Sequence, residues 1–325
     1  MPRLNEFGMP ARLLTFVVSA LLTLALTQGL HAETLKIASP QRGSWEGAIP
    51  ELGKQQGIFQ KHGLDLDIVY TSGGGETMQT VIGGAVDVGL SAGTSGAFGA
   101  YAKGAPIRII AASSTGSAEL FWYVAAKSPI QNIREANNAT LAYSTAGAST
   151  HITVMRFIRD YNLKANPVAT GNPASTFTQV MSGQVDVGWA VAPFALDALN
   201  QGQVRVVARA SDLAAIRQQT IRVQIVNTKT LAEKKDALVR YLRAYRETID
   251  WMYSSPDAVP RYMAFSGFSE GAVRRMLKEF IPKESLQTGE IRGIKEGMDD
   301  AIQFKLLAAP LTDQQLKELI QILPN

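Results

Sequence analysis

The sequence contains no cysteine and only three histidines among 325 residues. The absence of cysteine excludes disulfides, thiolate metal sites, cysteine nucleophiles and the acylated cysteine of a bacterial lipoprotein. The two histidines beyond the N-terminal segment, His62 and His151, do not have the H-E-x-x-H spacing of a zinc enzyme. We therefore expect no metal site and no cofactor.

Two glycine-rich segments lack the spacing that phosphate-binding and nucleophile motifs require. The segment TSGGGETM (71–78) is not followed by G-K-[ST] and does not match G-x-G-x-x-G, so it is neither a P-loop nor a dinucleotide-binding turn. The segment AGTSGA (92–97) does not fit the G-x-S-x-G of a nucleophile elbow. We therefore predict that the protein binds a ligand and is not an enzyme.

Neither sign of charge dominates, since 32 Lys and Arg residues face 28 Asp and Glu residues and the net charge is +4. The charges are scattered in mixed sign, whereas a protein that binds nucleic acid needs a clustered basic face. We expect no nucleic-acid partner. A small anionic solute is compatible with this mildly basic chain.

Long apolar runs are also scarce, and the longest lies near the N-terminus. The run 13–26 follows Arg12 and precedes Ala32, a residue suited to a cleavage point. It is shorter than the ~20 residues needed to cross a bilayer, and no later segment is long and apolar enough to span one. We predict a signal peptide over 1–32, cleaved near Ala32, and a soluble protein exported to the periplasm of a Gram-negative bacterium.

One eight-residue pattern occurs twice, as GGAVDVGL at 83–90 and as SGQVDVGW at 182–189. Each copy follows a segment whose apolar residues have helical spacing, and the pattern predicts a helix end, a tight turn and a strand. Gly84 and Gly183 are predicted to end the helices, because glycine adopts positive φ without strain. The aspartates of the two copies, Asp87 and Asp186, are predicted to hold the turn by hydrogen bonds to backbone, with ligand contact as the alternative.

Short β-rich segments alternate with helical segments in two successive passes, which predicts parallel sheets covered by helices. The predicted helices cover about 44–57, 76–82, 96–102, 150–161, 174–181 and 194–200. Open sheets of this class bind ligands beyond the carboxyl ends of their strands. Two such lobes facing each other would form a clamp.

The lobes are predicted to exchange the chain twice, in the segments 118–127 and 218–229. A hinge closure would take place in these crossing segments. We assign residues 33–120 with 222–325 to lobe 1, which includes C-terminal packing helices, and residues 121–221 to lobe 2.

Candidate ligand-binding residues come from the ends of the predicted strands and the helix starts that follow them. Ser149 or Thr150 can cap a helix whose first amides form an anion site, or cap it with no ligand role. Arg42 can pair with a carboxylate or sulfonate and Trp45 can stack on the ligand, while a solvated charge and simple packing are the alternatives. The full candidate set is Arg42, Trp45, Ser91, Thr94, Ser114, Ser144, Ser149, Thr150, His151, Trp189 and Pro193.

The segments ELGKQQGIFQKHGLDLDIVYTSGGGETMQTVIGGAVDVGL, KGAPIRIIA and GQVDVGWAVAPFALDAL resemble the ABC-transporter solute-binding proteins of the sulfonate, taurine and nitrate (NMT1-like) type. The resemblance covers the chain beyond the signal peptide. It implies the α/β type II periplasmic-binding-protein fold, in which each of two lobes has a mostly parallel sheet flanked by helices. It also implies that the protein, a monomer, closes on a small anion and delivers it to a cognate ABC permease in the inner membrane.

The same resemblance leaves the ligand open, because the family carries sulfonates, nitrate, aromatic acids and pyrimidine precursors. The family usually has an acidic residue between the tryptophan and the proline of the second repeat, whereas here Trp189 is followed by AVAPF. This departure argues against a cationic ligand group at that place. Two other hypotheses stay open: an enzyme on the same fold that acts on a small organic acid through Ser or His, and a ligand-sensing partner of a membrane receptor.

Overall fold

A computed structural model describes residues 32–324 of the chain. The predicted signal peptide therefore lies outside the described residues, apart from Ala32 at its end. Between residues 32 and 324, no helix is long and apolar enough to span a membrane.

The strands form two mixed sheets of the same design. In chain order the strands are β1 (Glu33–Pro40), β2 (Leu64–Thr71), β3 (Val88–Gly93), β4 (Ile107–Thr115), β5 (Leu120–Ala125), β6 (Thr140–Tyr143), β7 (Asn166–Ala169), β8 (Gly188–Val191), β9 (Val204–Arg209) and β10 (Thr220–Asn227). The first sheet has the order β2-β1-β3-β10-β4, and β10 runs antiparallel to its two neighbours. This sheet is the centre of lobe 1.

The second sheet is the centre of lobe 2 and repeats this order. Strands β8, β5 and β9 pair in that order, with β5 antiparallel to both neighbours. Strands β6 and β7 pair in parallel, and a parallel bridge between Leu141 and Val187 joins β6 to β8. The resulting order β7-β6-β8-β5-β9 matches the first sheet position by position, so the two-lobed α/β fold expected from the sequence is confirmed.

Helices cover both sheets and close the C-terminal part of the chain. They are α1 (Ile49–Gln55), α2 (Ile58–Lys61), α3 (Gly74–Ile82), α4 (Thr94–Ala102), α5 (Ser149–Asp160), α6 (Pro173–Met181), α7 (Leu196–Asn200), α8 (Thr228–Glu233), α9 (Lys235–Ser254), α10 (Ala258–Ser266), α11 (Glu270–Glu279), α12 (Ile294–Gln303) and α13 (Asp313–Leu319). Short 3₁₀ helices lie at Ile133–Glu135, Ala210–Asp212 and Lys283–Ser285.

The repeated sequence pattern folds in the same way in both lobes. Gly84 follows α3 and Gly183 follows α6 with φ of 70° and 77°, as predicted for a helix end that needs a left-handed residue. Five residues after each of these, Gly89 and Gly188 lie where the helix packs directly on the strand, and a Cβ there would come under 3.0 Å from a valine of that helix. The pattern therefore encodes a close helix-on-strand contact, made once in each lobe.

Both repeat aspartates bind the backbone of a neighbouring strand. The Asp87 carboxylate accepts a hydrogen bond of 2.9 Å from the amide of Lys36 on β1. The Asp186 carboxylate accepts one of 2.8 Å from the amide of Thr140 on β6. The predicted hydrogen bonds to backbone are confirmed, but they run to a neighbouring strand and not within the turn, so each aspartate fixes the start of β3 or β8 against that neighbour.

The helix predicted from residue 44 begins later, at Ile49. The hydroxyl of Ser44 accepts a hydrogen bond from the amide of Gly47 at 3.1 Å, which holds residues 44–47 in a turn. Such local bonds from a serine side chain compete with helix formation.

The two crossings of the chain lie side by side. The amide of Gly116 donates to the carbonyl of Gln219 at 3.1 Å, and the hydroxyls of Thr115 and Thr220 lie 2.9 Å apart. Beyond these residues the predicted crossing segments enter the sheets as β5 and β10. The short connections before β5 and before β10 are therefore hydrogen-bonded to each other.

The C-terminal helices contact both lobes. Helix α9 packs on α1 and α2, α12 packs on α4, and α13 packs on β4, as expected for lobe 1. Helix α11 contacts α7 of lobe 2, and the Ser269 hydroxyl donates to the Asp197 carboxylate at 2.6 Å. The rings of Phe194 and Phe268 meet edge to face beside this contact, with centroids 4.9 Å apart.

Candidate functional site

A narrow cavity of ≈ 20 Å³ lies between the lobes, where strands β3 and β8 end. Such a volume accommodates only one or two water molecules, so the lobes are closed around it. Five of the predicted site residues line it: Ser91, Ser144, Ser149, Thr150 and Trp189. The other lining residues are Gln41, Gly74, Leu120, Ala148, Val191 and Arg222.

The lobe 2 wall contains the N-terminus of α5. No side chain caps this helix, and its first intrahelical bond runs from the amide of Ile152 to the carbonyl of Ala148. The amides of Ser149, Thr150 and His151 therefore have no acceptor inside the helix. Uncapped amides and the helix dipole together favour an anion at this end.

The capping role predicted for Ser149 or Thr150 is wrong. The N-cap is Ala148, and the Thr150 hydroxyl instead accepts a hydrogen bond of 3.0 Å from the amide of Ser144. The hydroxyls of Ser144 and Thr150 also lie 2.8 Å apart. The two side chains thus fix the loop before α5 and leave the helix amides available.

Trp189 lines the cavity and carries a buried donor. The residue is only 1% exposed. Its indole Nε1 has no hydrogen-bond partner among the described residues. A buried polar group without a partner is unfavourable, so a ligand acceptor would complete this site.

The lobe 1 wall brings the start of a second helix to the cavity. Gly74 is the first residue of α3 and lines the cavity opposite α5. The next amide, that of Gly75, donates to the Thr145 hydroxyl of lobe 2 at 3.1 Å. Gln41 and Ser91 complete this wall with left-handed backbones, φ 50° and 53°, a conformation that is unusual for residues other than glycine.

Behind this wall lies a buried ionic cluster. The guanidinium of Arg222 forms ion pairs with Glu46 and with Glu119, and all three side chains are at most 7% exposed. The hydroxyls of Ser91 and Ser113 donate to Oε1 of Glu46 at 2.6 and 2.7 Å. Arg222 lies on β10 and Glu119 directly precedes β5, so the cluster links both crossings of the chain to the cavity.

A second, smaller cavity of ≈ 10 Å³ lies on the other side of Ser149. The predicted residue Thr94 lines this cavity, and its hydroxyl donates to the carbonyl of Thr220 at 2.7 Å. Arg156 of α5 also lines it and binds Asp300 of α12 through its Nε at 3.0 Å and through its Nη2. Burial raises the pKa of Asp300, which the hydrogen bond from Arg156 opposes. This ion pair connects the helix of the ligand cavity to the C-terminal part of lobe 1.

Five predicted site residues line neither cavity, and three of them are Arg42, Trp45 and Ser114. Arg42 stacks its guanidinium on the Phe265 ring, 4.7 Å from the centroid. Trp45 is fully buried and meets the Tyr262 ring edge to face at 4.7 Å. Ser114 is buried on β4 beside Arg222 of β10, with its hydroxyl unpaired among the described residues. Aromatic partners from the distant C-terminal helices thus determine where Arg42 and Trp45 point.

His151 and Pro193 also lie away from both cavity walls. The ring of His151 accepts a hydrogen bond from the amide of Gly147 at 3.3 Å through Nδ1 and lies 4.5 Å from the Tyr143 ring. Burial lowers the pKa of His151, so the neutral ring that this bond requires is favoured. Pro193 lies in the turn after β8, where its carbonyl accepts from the amide of Leu196.

The sequence-based reasoning missed Gln41, Arg222 and the two glutamates that bind Arg222. Gln41 adjoins the candidate Arg42, and Arg222 lies inside a segment read only as a crossing. A charged residue inside the otherwise β-prone run QQTIRVQIVNTK was the available signal for Arg222. A buried strand rarely contains an arginine unless that arginine is paired.

Glycines of lobe 1 form direct contacts with a loop of lobe 2. A Cβ at Gly93 or at Gly96 would lie under 3.0 Å from the carbonyl oxygen of Gly147. A Cβ at Gly75 would be as close to the carbonyl of Ala146. The closed arrangement therefore depends on the absence of side chains along this seam.

Within residues 32–324, no group of three or more His, Cys, Asp or Glu side chains is arranged to hold a metal ion. The polar groups at the cavity are helix amides, hydroxyls, an indole and the Arg222 cluster. This set is suited to hydrogen-bonding an organic or inorganic solute.

Comparison with protein families gives a match over most of the chain. The model of the family described as NMT1/THI5 like matches residues 51–259. The chain belongs to the NMT1/THI5-like family. A search of the curated proteins finds no match.

Solved structures similar to this NMT1/THI5-like protein share its fold at low sequence identity. The periplasmic aliphatic sulphonate-binding protein SsuA from Escherichia coli is 19% identical, with a TM-score of 0.67, over 87% of this chain and 91% of that one. The alkanesulfonate-binding protein SsuA from Xanthomonas axonopodis, solved with MOPS, is 16% identical, with a TM-score of 0.69, over 88% and 89%. The periplasmic nitrate-binding protein NrtA from Synechocystis is 14% identical, with a TM-score of 0.64, over 89% and 86%. This NMT1/THI5-like chain therefore has the periplasmic-binding-protein fold.

Proposed function

We propose that this protein is the periplasmic substrate-binding component of an ABC importer. It captures a small anion between its lobes and delivers it to a membrane permease. The sulfonate-binding and nitrate-binding roles of proteins with the same fold support this proposal. So does the family to which the chain belongs.

The observation that carries the proposal is the set of unpaired donors at the interlobe cavity. Ser149 and Thr150, at the uncapped start of α5, and Trp189, whose indole N–H has no partner among the described residues, line the same cavity from lobe 2. A charge-assisted hydrogen bond contributes about 1.5–3 kcal/mol net, and a partly buried helix terminus contributes up to about 2 kcal/mol. A few such contacts approach the ~8 kcal/mol of micromolar binding before ordering is subtracted.

Ligand binding drives closure in this proposal. Donors from lobe 2 and the α3 start from lobe 1 meet around one cavity, so a ligand touches both walls only in the closed form. A ligand that binds the closed form more tightly shifts the population toward it. The short paired connections before β5 and β10 are where the rotation takes place.

The protein is proposed to bind its ligand without altering it. The ligand recovered from the protein by denaturation should have the same mass as the ligand added. A changed mass would favour an enzyme on the same fold. We further propose that the protein acts as a monomer in the periplasm and that the lobe boundaries lie at 120/121 and 221/222.

A thermal-shift screen tests the ligand class. The mature protein is heated with alkyl and aryl sulfonates, nitrate, carboxylates and pyrimidines, because a ligand selective for the native state raises its melting temperature. We expect a shift with at least one anion. A shift only with neutral or cationic compounds would contradict the anion proposal.

Two matched tryptophan variants test the site. Trp189→Phe removes the unpaired cavity donor, so we expect the affinity for the anion from the screen to fall about tenfold or more. Trp45 also has a fully buried indole but lies outside the cavity. Trp45→Phe should therefore leave the affinity unchanged. Equal effects of the two variants on affinity would remove Trp189 from the site.

A further inference from the structure

A buried ion pair joins the two lobes outside the ligand cavity. Arg156 belongs to α5 of lobe 2, and Asp300 belongs to α12, which packs on α4 of lobe 1. The guanidinium donates to the carboxylate twice, from Nε to Oδ1 at 3.0 Å and from Nη2 to Oδ2. The two side chains are 2% and 3% exposed. A buried charge that loses its partner is strongly unfavourable, so each group depends on the other in this place.

The ion pair lies on the face of α5 that also reaches the ligand cavity. The second cavity is lined along α5 by Ser149, Ile152, Thr153 and Arg156. Positions i, i+3, i+4 and i+7 lie on one face of a helix, and seven residues span about 10 Å along its axis. Ser149 lines the ligand cavity as well. The face of α5 that is turned toward lobe 1 therefore begins at the ligand cavity and ends at Arg156.

Further contacts of this face align α5 with α12 and with a connection between the lobes. Arg159 lies one turn after Arg156, and its Nη1 donates to Oε1 of Gln303 at 2.5 Å and lies 3.5 Å from Oδ1 of Asp300. Nη2 of Arg156 also donates to Oε1 of Gln219 at 2.9 Å. Gln219 directly precedes β10. Arg156 thus contacts lobe 1 and the connection before β10 at the same time.

We propose that Arg156 is a positioning residue for ligand binding. Its ion pair with Asp300 forms when the lobes close, and it holds the start of α5 at the ligand cavity. This inference rests on the proposed closure of the lobes on a ligand and deepens it. Arg156 does not line the ligand cavity, so it acts through α5 and not by touching the ligand.

The open form offers water to both members of the pair. When the lobes separate, the face of α5 that ends at Arg156 leaves lobe 1, and both charged groups become hydrated. An ionised group is stable in water without a partner. Removal of one partner therefore leaves an uncompensated buried charge in the closed form alone. The loss falls on closure and, through the smaller closed population, on the apparent affinity for the ligand.

A charge-removing variant tests the role of the pair. Calorimetry measures ethanesulfonate, nitrate and benzoate, and the one that the parent protein binds most tightly serves as the probe. Asp300→Asn keeps the shape of the side chain but leaves Arg156 without its counter-charge, so the affinity for this probe should fall at least about tenfold. The melting temperature without added anion should change little, because the open form hydrates both groups. If Asp300→Asn does not fold, Arg156→Lys, which keeps the charge but loses the planar fork, is measured in the same way.

The neighbouring residue of α12 provides the matched control. Asp299 is exposed and pairs with Lys295 of its own helix at 2.7 Å. Asp299→Asn removes the same charge from the same helix and should leave the affinity for the probe unchanged.

A double-mutant cycle tests whether the two residues act as one unit. Arg156→Gln combined with Asp300→Asn buries no unpaired charge in this place. The double variant should therefore bind the probe at least as tightly as the weaker of the two single variants. Losses of affinity that add up would show that the residues act separately and would contradict the inference.

Spin labels report closure directly. Because the sequence has no cysteine, Asp67→Cys in lobe 1 and Lys164→Cys in lobe 2 provide two unique attachment points on exposed residues. The probe should shift the distance between the labels in the parent background, and about tenfold more probe or greater should be needed for the same shift with Asp300→Asn.

The possible results separate this inference from the proposed function. Unchanged affinity in Asp300→Asn, with or without a lower melting temperature, would make the pair a permanent lobe contact and overturn the inference while the anion proposal stands. An equal loss in Asp299→Asn would also overturn it. No binding of any of the three anions by the parent protein would overturn the proposed function and this inference together.

Discussion

The glycine seam between the lobes makes a prediction about closure. Gly96 lies in α4 of lobe 1, and a Cβ there would come under 3.0 Å from the carbonyl oxygen of Gly147 in lobe 2. Backbone atoms cannot rotate away as a flexible side chain can. Gly96→Ala should therefore destabilise the closed form while leaving the open form free of the clash.

The magnitude follows from two opposing terms. Overpacking of one methyl group destabilises a packed site by about 1–3 kcal/mol, which corresponds to a loss of ligand affinity of about 5- to 150-fold. Alanine is favoured over glycine inside a helix by about 1 kcal/mol. The folding stability of the open form should therefore rise slightly while ligand affinity falls.

Gly99 provides the control in the same helix. A Cβ at Gly99 would meet the carbonyl oxygen of Leu306 at 2.5 Å, and Leu306 belongs to the C-terminal part of lobe 1. Gly99→Ala should therefore lower the melting temperature itself. The assays are thermal melts without ligand, calorimetry with the ligand found by the screen, and X-ray scattering for the radius of gyration. If Gly96→Ala lowered the melting temperature as much as Gly99→Ala and left affinity and radius unchanged, the seam would be a permanent contact and the hinge reasoning would fail.

Three further predictions concern stability. Arg222→Met leaves two carboxylates buried without a counter-charge, so urea denaturation should show that the free energy of unfolding falls by about 3–5 kcal/mol. Adding Glu119→Gln should restore part of this loss. An unchanged free energy of unfolding in Arg222→Met would contradict the burial of the cluster. Asp87→Ala and Asp186→Ala each remove a charge-assisted hydrogen bond to backbone, so each should lower the free energy of unfolding by about 1.5–3 kcal/mol. Ligand affinity should stay unchanged in both variants. A loss of affinity without a loss of stability would instead assign these aspartates to ligand binding. Burial lowers the pKa of His151 below its ordinary 6.5, so the unfolded chain binds more protons than the folded protein. The contribution of His151 to folding stability is therefore complete above pH 6.5 and is lost as the pH falls toward the pKa of the folded state. Urea denaturation at about pH 7.5 and about pH 5.5 should therefore show a smaller decrease for His151→Gln than for the parent protein, and an equal decrease would contradict this assignment.

The fold was predictable because its determinants are local and repeated. The pattern around Gly84 and Asp87 occurs again around Gly183 and Asp186, and in both places a helix end, a turn and a strand lie within a few residues. Periodicity and turn chemistry suffice to recognise such a unit. The start of α1 was misplaced because the side chain of Ser44 forms a local bond that apolar spacing does not reveal.

The candidate site was predictable only in part, because its residues depend on tertiary contacts. Ser91 and Trp189 lie in β3 and β8, the strands that end at the cavity, and Ser149 begins α5. Ligands of open α/β sheets bind beyond the carboxyl ends of such strands. Arg42 has a similar place in the chain, yet its orientation is set by the ring of Phe265, more than half the chain away. No sequence pattern connects Arg222 with its two carboxylates, which come from separate segments.

The strand order has a consequence for the emergence of the chain during synthesis. The sheet of lobe 2 is built from one uninterrupted stretch, β5 to β9, while the sheet of lobe 1 is interrupted until β10 enters between β3 and β4. The lobe that begins first is thus completed last. Until β10 arrives, the facing edges of β3 and β4 have unpaired backbone groups, the feature by which a nascent chain is recognised by chaperones or misassembles.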